Sequence, residues 1–86
     1  MPEKQIIVGV DTHADSHAAV AIDQLGRRLD SIEIPATIVG YRSLLEWARQ
    51  LGEQCCFGVE GTGSYGAGLS RFLNDTGVRV VERSVG

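Results

Sequence analysis

Long apolar runs are missing from this 86-residue sequence. Ile6 to Val10, one of the longest, is far too short to cross a bilayer. Met1-Pro2-Glu3-Lys4 lacks the basic segment and apolar stretch of a secretory signal. The expected location is therefore the cytoplasm, with no membrane partner. Cysteine is scarce as well: the two residues, Cys55 and Cys56, are adjacent inside an apolar stretch. On a strand they would point to opposite faces, which suits neither a disulfide nor a shared metal. A zinc site would need two further ligands at conventional spacing, and none occurs. Both cysteines read as small buried apolar residues. Basic charge is not in excess either. A net charge of −3 argues against a free-standing electrostatic binder of nucleic acid. It leaves room for an active site whose carboxylates hold cations.

What is present is an ordinary globular composition, 43% hydrophobic and 22% charged, without repeats or low-complexity tracts. The length allows one small domain with a modest core. Gln5 to Asp11 is β-branched and nearly continuously apolar, which predicts a buried strand. His17 to Asp23 predicts a second strand, turning at Gln24-Leu25-Gly26. Arg27 to Ile34 alternates well enough for a third, closed by Pro35. The period then changes. Thr37 is placed to cap a helix running to about Leu51, with Leu44, Leu45, Ala48 and Leu51 on one face and Gly52 as its stop. Gln54 to Glu60 reads as another buried strand. From Ser64 to Thr76 a helical face carries Tyr65, Leu69, Phe72, Leu73 and Thr76, ended by Gly77. Gly66 and Gly68 weaken that helix but allow close approach to a sheet. Val78 to Glu82 is the last strand.

This order predicts an α/β fold with a mixed five-stranded sheet, spatial order 3-2-1-4-5, which by element order is ribonuclease-H-like. Both crossovers move in the same direction, so right-handedness puts the two helices on one face. The other face is then bare, although parallel strands are normally covered on both sides. The expectation is that a C-terminal part of the domain lies beyond Gly86.

Asp11 closes the first strand and Glu60 the fourth. As parallel neighbours they would meet at their carboxyl ends about 5 Å apart. Two like charges at that distance repel by roughly 3 kcal/mol at an effective dielectric of about 20. Such a pair shares a proton, is offset by a basic group, or binds a cation; hard oxygen ligands favour Mg²⁺ or Mn²⁺. The plainer reading is that each acid is a solvated strand end or a helix cap.

The segments around the acids are Val8-Gly9-Val10-Asp11-Thr12-His13 and Glu60-Gly61-Thr62-Gly63-Ser64-Tyr65. Together they resemble the amino-terminal domain of the DEDD transposases, bacterial insertion-sequence enzymes of the IS-one-ten family that include pilin-gene invertases. Pro35-Ala36-Thr37, Gly40-Tyr41, Leu44-Leu45, Tyr65-Gly66 and Leu69 extend the likeness over about residues 6 to 82. The resemblance implies a RuvC-like, ribonuclease-H-fold catalytic domain, here residues 1–86 of it. Four acids there bind Mg²⁺ or Mn²⁺ for DNA strand cleavage and transfer. Asp11 and Glu60 match the first two as metal-binding and catalytic residues. Two further aspartates and a serine-bearing domain lie downstream in the family, so this fragment is expected to bind metal weakly and to be inactive alone. Thr12, His13, Gly61 and Thr62 are candidate substrate contacts, with Thr12 and His13 alternatively orienting Asp11. The implied partners are DNA, a structured guide RNA in some members, and further copies of the full-length chain.

Other readings compete. His13, Asp15 and His17 form an H-x-D-x-H run that imitates a metal triad, but loop and strand-start polar groups explain it better. Gly61-Thr62-Gly63 could cradle phosphate at a helix N-terminus, yet it lacks the Walker lysine and is not a dinucleotide fingerprint. An actin- or sugar-kinase-like ATP-binding fragment shares the sheet order; its glycine- and threonine-rich hairpin after the first acid is absent from Thr12 to Ser16. A non-catalytic module pairing through the bare sheet face is the third alternative. The arginines are scattered rather than striped, and Tyr41 and Trp47 sit where packing is expected.

Overall fold

The computed structural model of the chain describes residues 5–61 and 65–83. Its elements are β1 (Gln5–Thr12), β2 (Ser16–Ile22), β3 (Arg28–Pro35), α1 (Ile38–Leu51), β4 (Gln54–Glu60), α2 (Ala67–Asp75) and β5 (Arg79–Arg83). The strands form one sheet ordered β3-β2-β1-β4-β5. The first three make an antiparallel meander, and β4 and β5 add in parallel beside β1. This is the predicted α/β arrangement, consistent with a RuvC-like fold.

Strand alternation divides the sheet. Ile6, Val8 and Val10 point to one face and are at most 2% exposed, while Ile7 on the other face is 44% exposed. Both helices cover the first face. Thr37 is extended and accepts the Gly40 amide at 3.1 Å through its hydroxyl, so it caps α1 as predicted. Tyr41, Leu44, Leu45 and Ala48 then recur at helical spacing and are buried. Gly52 ends the helix, its amide reaching the Ala48 carbonyl at 3.3 Å. Trp47 ties α1 to the edge strand, its indole N–H donating to Asp30 at 2.8 Å. Leu69 and Leu73 of α2 are fully buried beside Phe57 and Val59 of β4. Ser70 of α2 donates to the Glu82 carboxylate on β5.

Some expectations are corrected. The second helix begins at Ala67; Ser64, its expected start, lies outside the described residues. Tyr65 sits in the preceding turn and is exposed. The backbone uses this stretch to fold back on the end of β4, the Gly66 amide donating to the Gly61 carbonyl at 2.8 Å. Thr76 is the exposed C-cap of α2 and contributes nothing to its buried face. Cys55 and Cys56 do lie on opposite faces, but both are half-buried, Cys56 on the open face and Cys55 at the margin of the covered core. No helix among the described residues is long and apolar enough to cross a membrane.

Candidate functional site

The central strands end in matching triplets, Gly9-Val10-Asp11 on β1 and Gly58-Val59-Glu60 on β4. The parallel register pairs Gly9 with Gly58 and Val10 with Val59, so the two acids stand next in line at neighbouring carboxyl ends. Alternation sends the valines into the core and leaves glycines and acids on the open face. A concavity of about 350 Å³ there is lined by Gly9, Asp11, Ala18, Val20, Gly58 and Glu60, with Val10 contributing. A Cβ added to Gly9 or Gly58 would meet nothing within 4 Å, so the floor below the acids is bare backbone open to solvent. The paired glycines, Gly9 and Gly58, are not among the candidate residues that the sequence suggests. The repeated Gly-Val-acid triplet was the available signal.

Asp11 is 71% exposed in its side chain. Water screens charges at such a position, so the repulsion expected for a pair at a dielectric of about 20 is an upper bound. His13, itself 62% exposed, brings Nε2 to 3.3 Å from Asp11 Oδ2 and offsets its charge whenever the ring is protonated. Thr12 donates its hydroxyl to the Glu60 carbonyl at 2.7 Å. Gly61 has φ +74°, a conformation that side chains rarely tolerate, and there the chain turns sharply off the end of β4. Asp11, Thr12, His13, Glu60 and Gly61 are thus gathered at one end of the sheet. Thr62 lies outside the described residues.

The H-x-D-x-H run is dispersed. His13 is exposed, Asp15 is an exposed turn residue whose carbonyl accepts from Ala36 at 3.0 Å, and His17 is fully buried on the helix side. Alternation along His17, Ala19 and Ala21 accounts for that burial. The imidazole stacks on Tyr41 with ring centroids 6.0 Å apart and planes within 4°. Its Nδ1 lies 3.0 Å from the Ser16 carbonyl, and Nε2 has no partner among the described residues. Burial lowers its pKa below the ordinary value, only partly opposed by the Ser16 carbonyl, and His13 lowers it further.

A search of the curated proteins finds no match. Among solved structures, the chain is similar to the Aquifex aeolicus member of the Ppx/GppA protein family. The identity is 9% and the TM-score 0.43, over 92% of this chain and 35% of that one. The chain therefore spans about a third of that structure's length. The family model of the DEDD transposases of IS-one-ten type, described as "Transposase", matches residues 8–84. That match takes in both triplets, both helices and nearly all of the sheet, and the chain belongs to this transposase family.

Proposed function

We propose that Asp11 and Glu60 contribute to a divalent-cation site, for Mg²⁺ or Mn²⁺, serving DNA strand cleavage and transfer by the transposase. One observation carries this reading: two carboxylates, one residue beyond the last paired valines of adjacent parallel strands, share the open face of the sheet. The donor set fits a hard cation, since both groups offer carboxylate oxygens without competing thiols. Among the described residues no group of three or more His, Cys, Asp or Glu side chains is placed to hold a metal. Two ligands leave most of an ion's coordination to water, so affinity in this chain is weak.

When bound, such an ion supplies Lewis-acid activation of a phosphodiester and its attacking nucleophile. The chain's own residues prepare the setting. Gly9, Gly58 and Ala18 keep the floor low, which lets a nucleic-acid backbone come close to the carboxylates. His13 stands beside Asp11, its Nε2 3.3 Å from the carboxylate. DNA is the substrate on this reading; a structured guide RNA and further copies of the chain are partners of the longer enzyme. With only these two acids, the 86-residue chain binds Mn²⁺ weakly and does not cleave DNA by itself.

The test is Mn²⁺ titration of the purified chain, followed by paramagnetic broadening of amide signals. Broadening centred on residues 10–12 and 59–61, and lost in Asp11→Asn and in Glu60→Gln, supports the site. Broadening elsewhere, or unchanged in those variants, overturns it. Cation-dependent nicking of DNA by the chain alone, abolished by Asp11→Ala, would refute the claim of inactivity.

A further inference from the structure

We propose that Thr12 is a positioning residue for the carboxylate pair, its hydroxyl tying the exit of β1 to the exit of β4. The inference rests on the cation reading of Asp11 and Glu60 and concerns how their spacing is held.

The paired register between β1 and β4 stops at Val10 and Val59. Past it the two strands no longer pair with each other and stay in the sheet through their outer neighbours alone: Asp11 and Thr12 pair with Ala18 and His17 of β2, and Glu60 pairs with Arg83 of β5. The acids therefore stand where β1 and β4 have stopped pairing with each other, each held by a different outer strand. The hydrogen bond from Thr12 Oγ1 to the Glu60 carbonyl lies just beyond that point and joins residues 48 apart in sequence. It connects the residue after the first acid to the backbone of the second. Glu60 is bounded from the other side as well. The Gly66 amide holds the Gly61 carbonyl at 2.8 Å. A Cβ on Gly66 would come within 2.8 Å of the Glu60 oxygen and 3.1 Å of the Gly61 oxygen. Thr12 and Gly66 thus confine the Glu60–Gly61 backbone between them.

A hydroxyl that donates to a carbonyl has committed its only proton. Thr12 accordingly acts through Glu60 and is not a donor to a phosphate. Threonine suits the task because its branched Cβ restricts χ1 and favours extended backbone. Valine keeps that shape without the proton, and serine keeps the proton without the methyl group.

The experiment compares wild-type chain, Thr12→Val and Thr12→Ser by thermal melting, by the Glu60 carbonyl ¹³C shift, by amide line widths without metal, and by Mn²⁺ titration. Thr12→Val is expected to melt within a few degrees of wild type, to move the Glu60 carbonyl shift, and to broaden the Asp11 and Glu60 amides by exchange. Its Mn²⁺ affinity falls about fivefold, the equilibrium effect of one neutral hydrogen bond. Thr12→Ser restores all of these. Wild-type Mn²⁺ affinity in Thr12→Val overturns the proposal, as does a Thr12→Ser variant no better than Thr12→Val. Unfolding of Thr12→Val also overturns it, because the bond would then support the fold rather than the pair. If the wild-type chain binds no Mn²⁺, the cation reading fails separately. The metal-free signals then decide: exchange broadening in Thr12→Val reversed by Thr12→Ser upholds the tie, and unchanged signals refute it.

Discussion

The covered and open faces of this sheet are built from alternate residues of the same strands, yet they are selected by different physics. On the covered face Ile6, Val8, Val10, Phe57 and Val59 are buried to completion or nearly so against two amphipathic helices. On the open face the same strands carry Gly9, Gly58 and two carboxylates, beside Ala18 of β2, around a shallow cavity. Folding free energy comes chiefly from the first set, through removal of apolar surface from water. The second set contributes little to it, which leaves those positions free to carry charge. A single-residue register slip between β1 and β4 would exchange the two sets.

This contrast can be broken most forcefully at Phe57, which is fully buried. Phe57→Ala should cost about 3–5 kcal/mol in urea denaturation, enough to unfold a domain of marginal stability. Ile7→Ala on the open face, where the side chain is 44% exposed, should cost less than about 1.5 kcal/mol. Equal losses would mean that the open face is packed as firmly as the covered one.

A second effect belongs to His17, which is fully buried on the covered face. Burial depresses the pKa of His17 in the folded chain, so the unfolded chain binds the proton more readily. Stability from this group is complete above its ordinary pKa of about 6.5. It falls as pH drops from there toward the depressed folded value, by at most about 1.4 kcal/mol per pH unit. Denaturation midpoints between pH 7 and 5 should follow that slope, and His17→Phe, which keeps a ring against Tyr41, should flatten it. A slope surviving in His17→Phe would assign the acid sensitivity to other groups.

Thr37→Ala removes the cap of α1 and should cost about 1 kcal/mol by thermal or urea melts. The loss should appear on the covered face only, leaving amide signals near Asp11 in place. The smallest effect is expected at the site itself. Asp11→Asn should change stability by less than about 0.5 kcal/mol, because the carboxylate is exposed and its contact with the likewise exposed His13 is screened by water. A loss above about 2 kcal/mol would make Asp11 a structural residue and remove the distinction between the faces.

Much of this was legible in the sequence, for reasons that differ by residue. Strand order followed from the sequence of periodicities and the handedness of crossovers, both set by local stereochemistry. Thr37 and Gly52 announced the ends of α1 through backbone hydrogen-bonding needs that few residues satisfy. Asp11 and Glu60 stood out because each closes an apolar run. Less visible was whatever depended on contacts distant in sequence. The start of α2 was misread because its helical spacing extends back through Tyr65, whereas the backbone there folds onto Gly61. His17 read as a polar group at the start of a strand, and only the alternation of that strand against α1 carries it into the core beside Tyr41. The Thr12 hydrogen bond had no sequence signature, since a hydroxyl at a strand end finds its partner only when another strand arrives.

That last bond also bears on how the chain acquires its site. Its two residues come together only after α1 has crossed the sheet and β4 has paired with β1, so no local segment of the chain assembles the acids in advance. The closure of so large a loop has to precede the contact. An ion held by Asp11 and Glu60 would consequently recognise the completed sheet and ignore the unfolded chain. By mass action it would then raise the midpoint of unfolding with its own concentration, and a chelator would lower it.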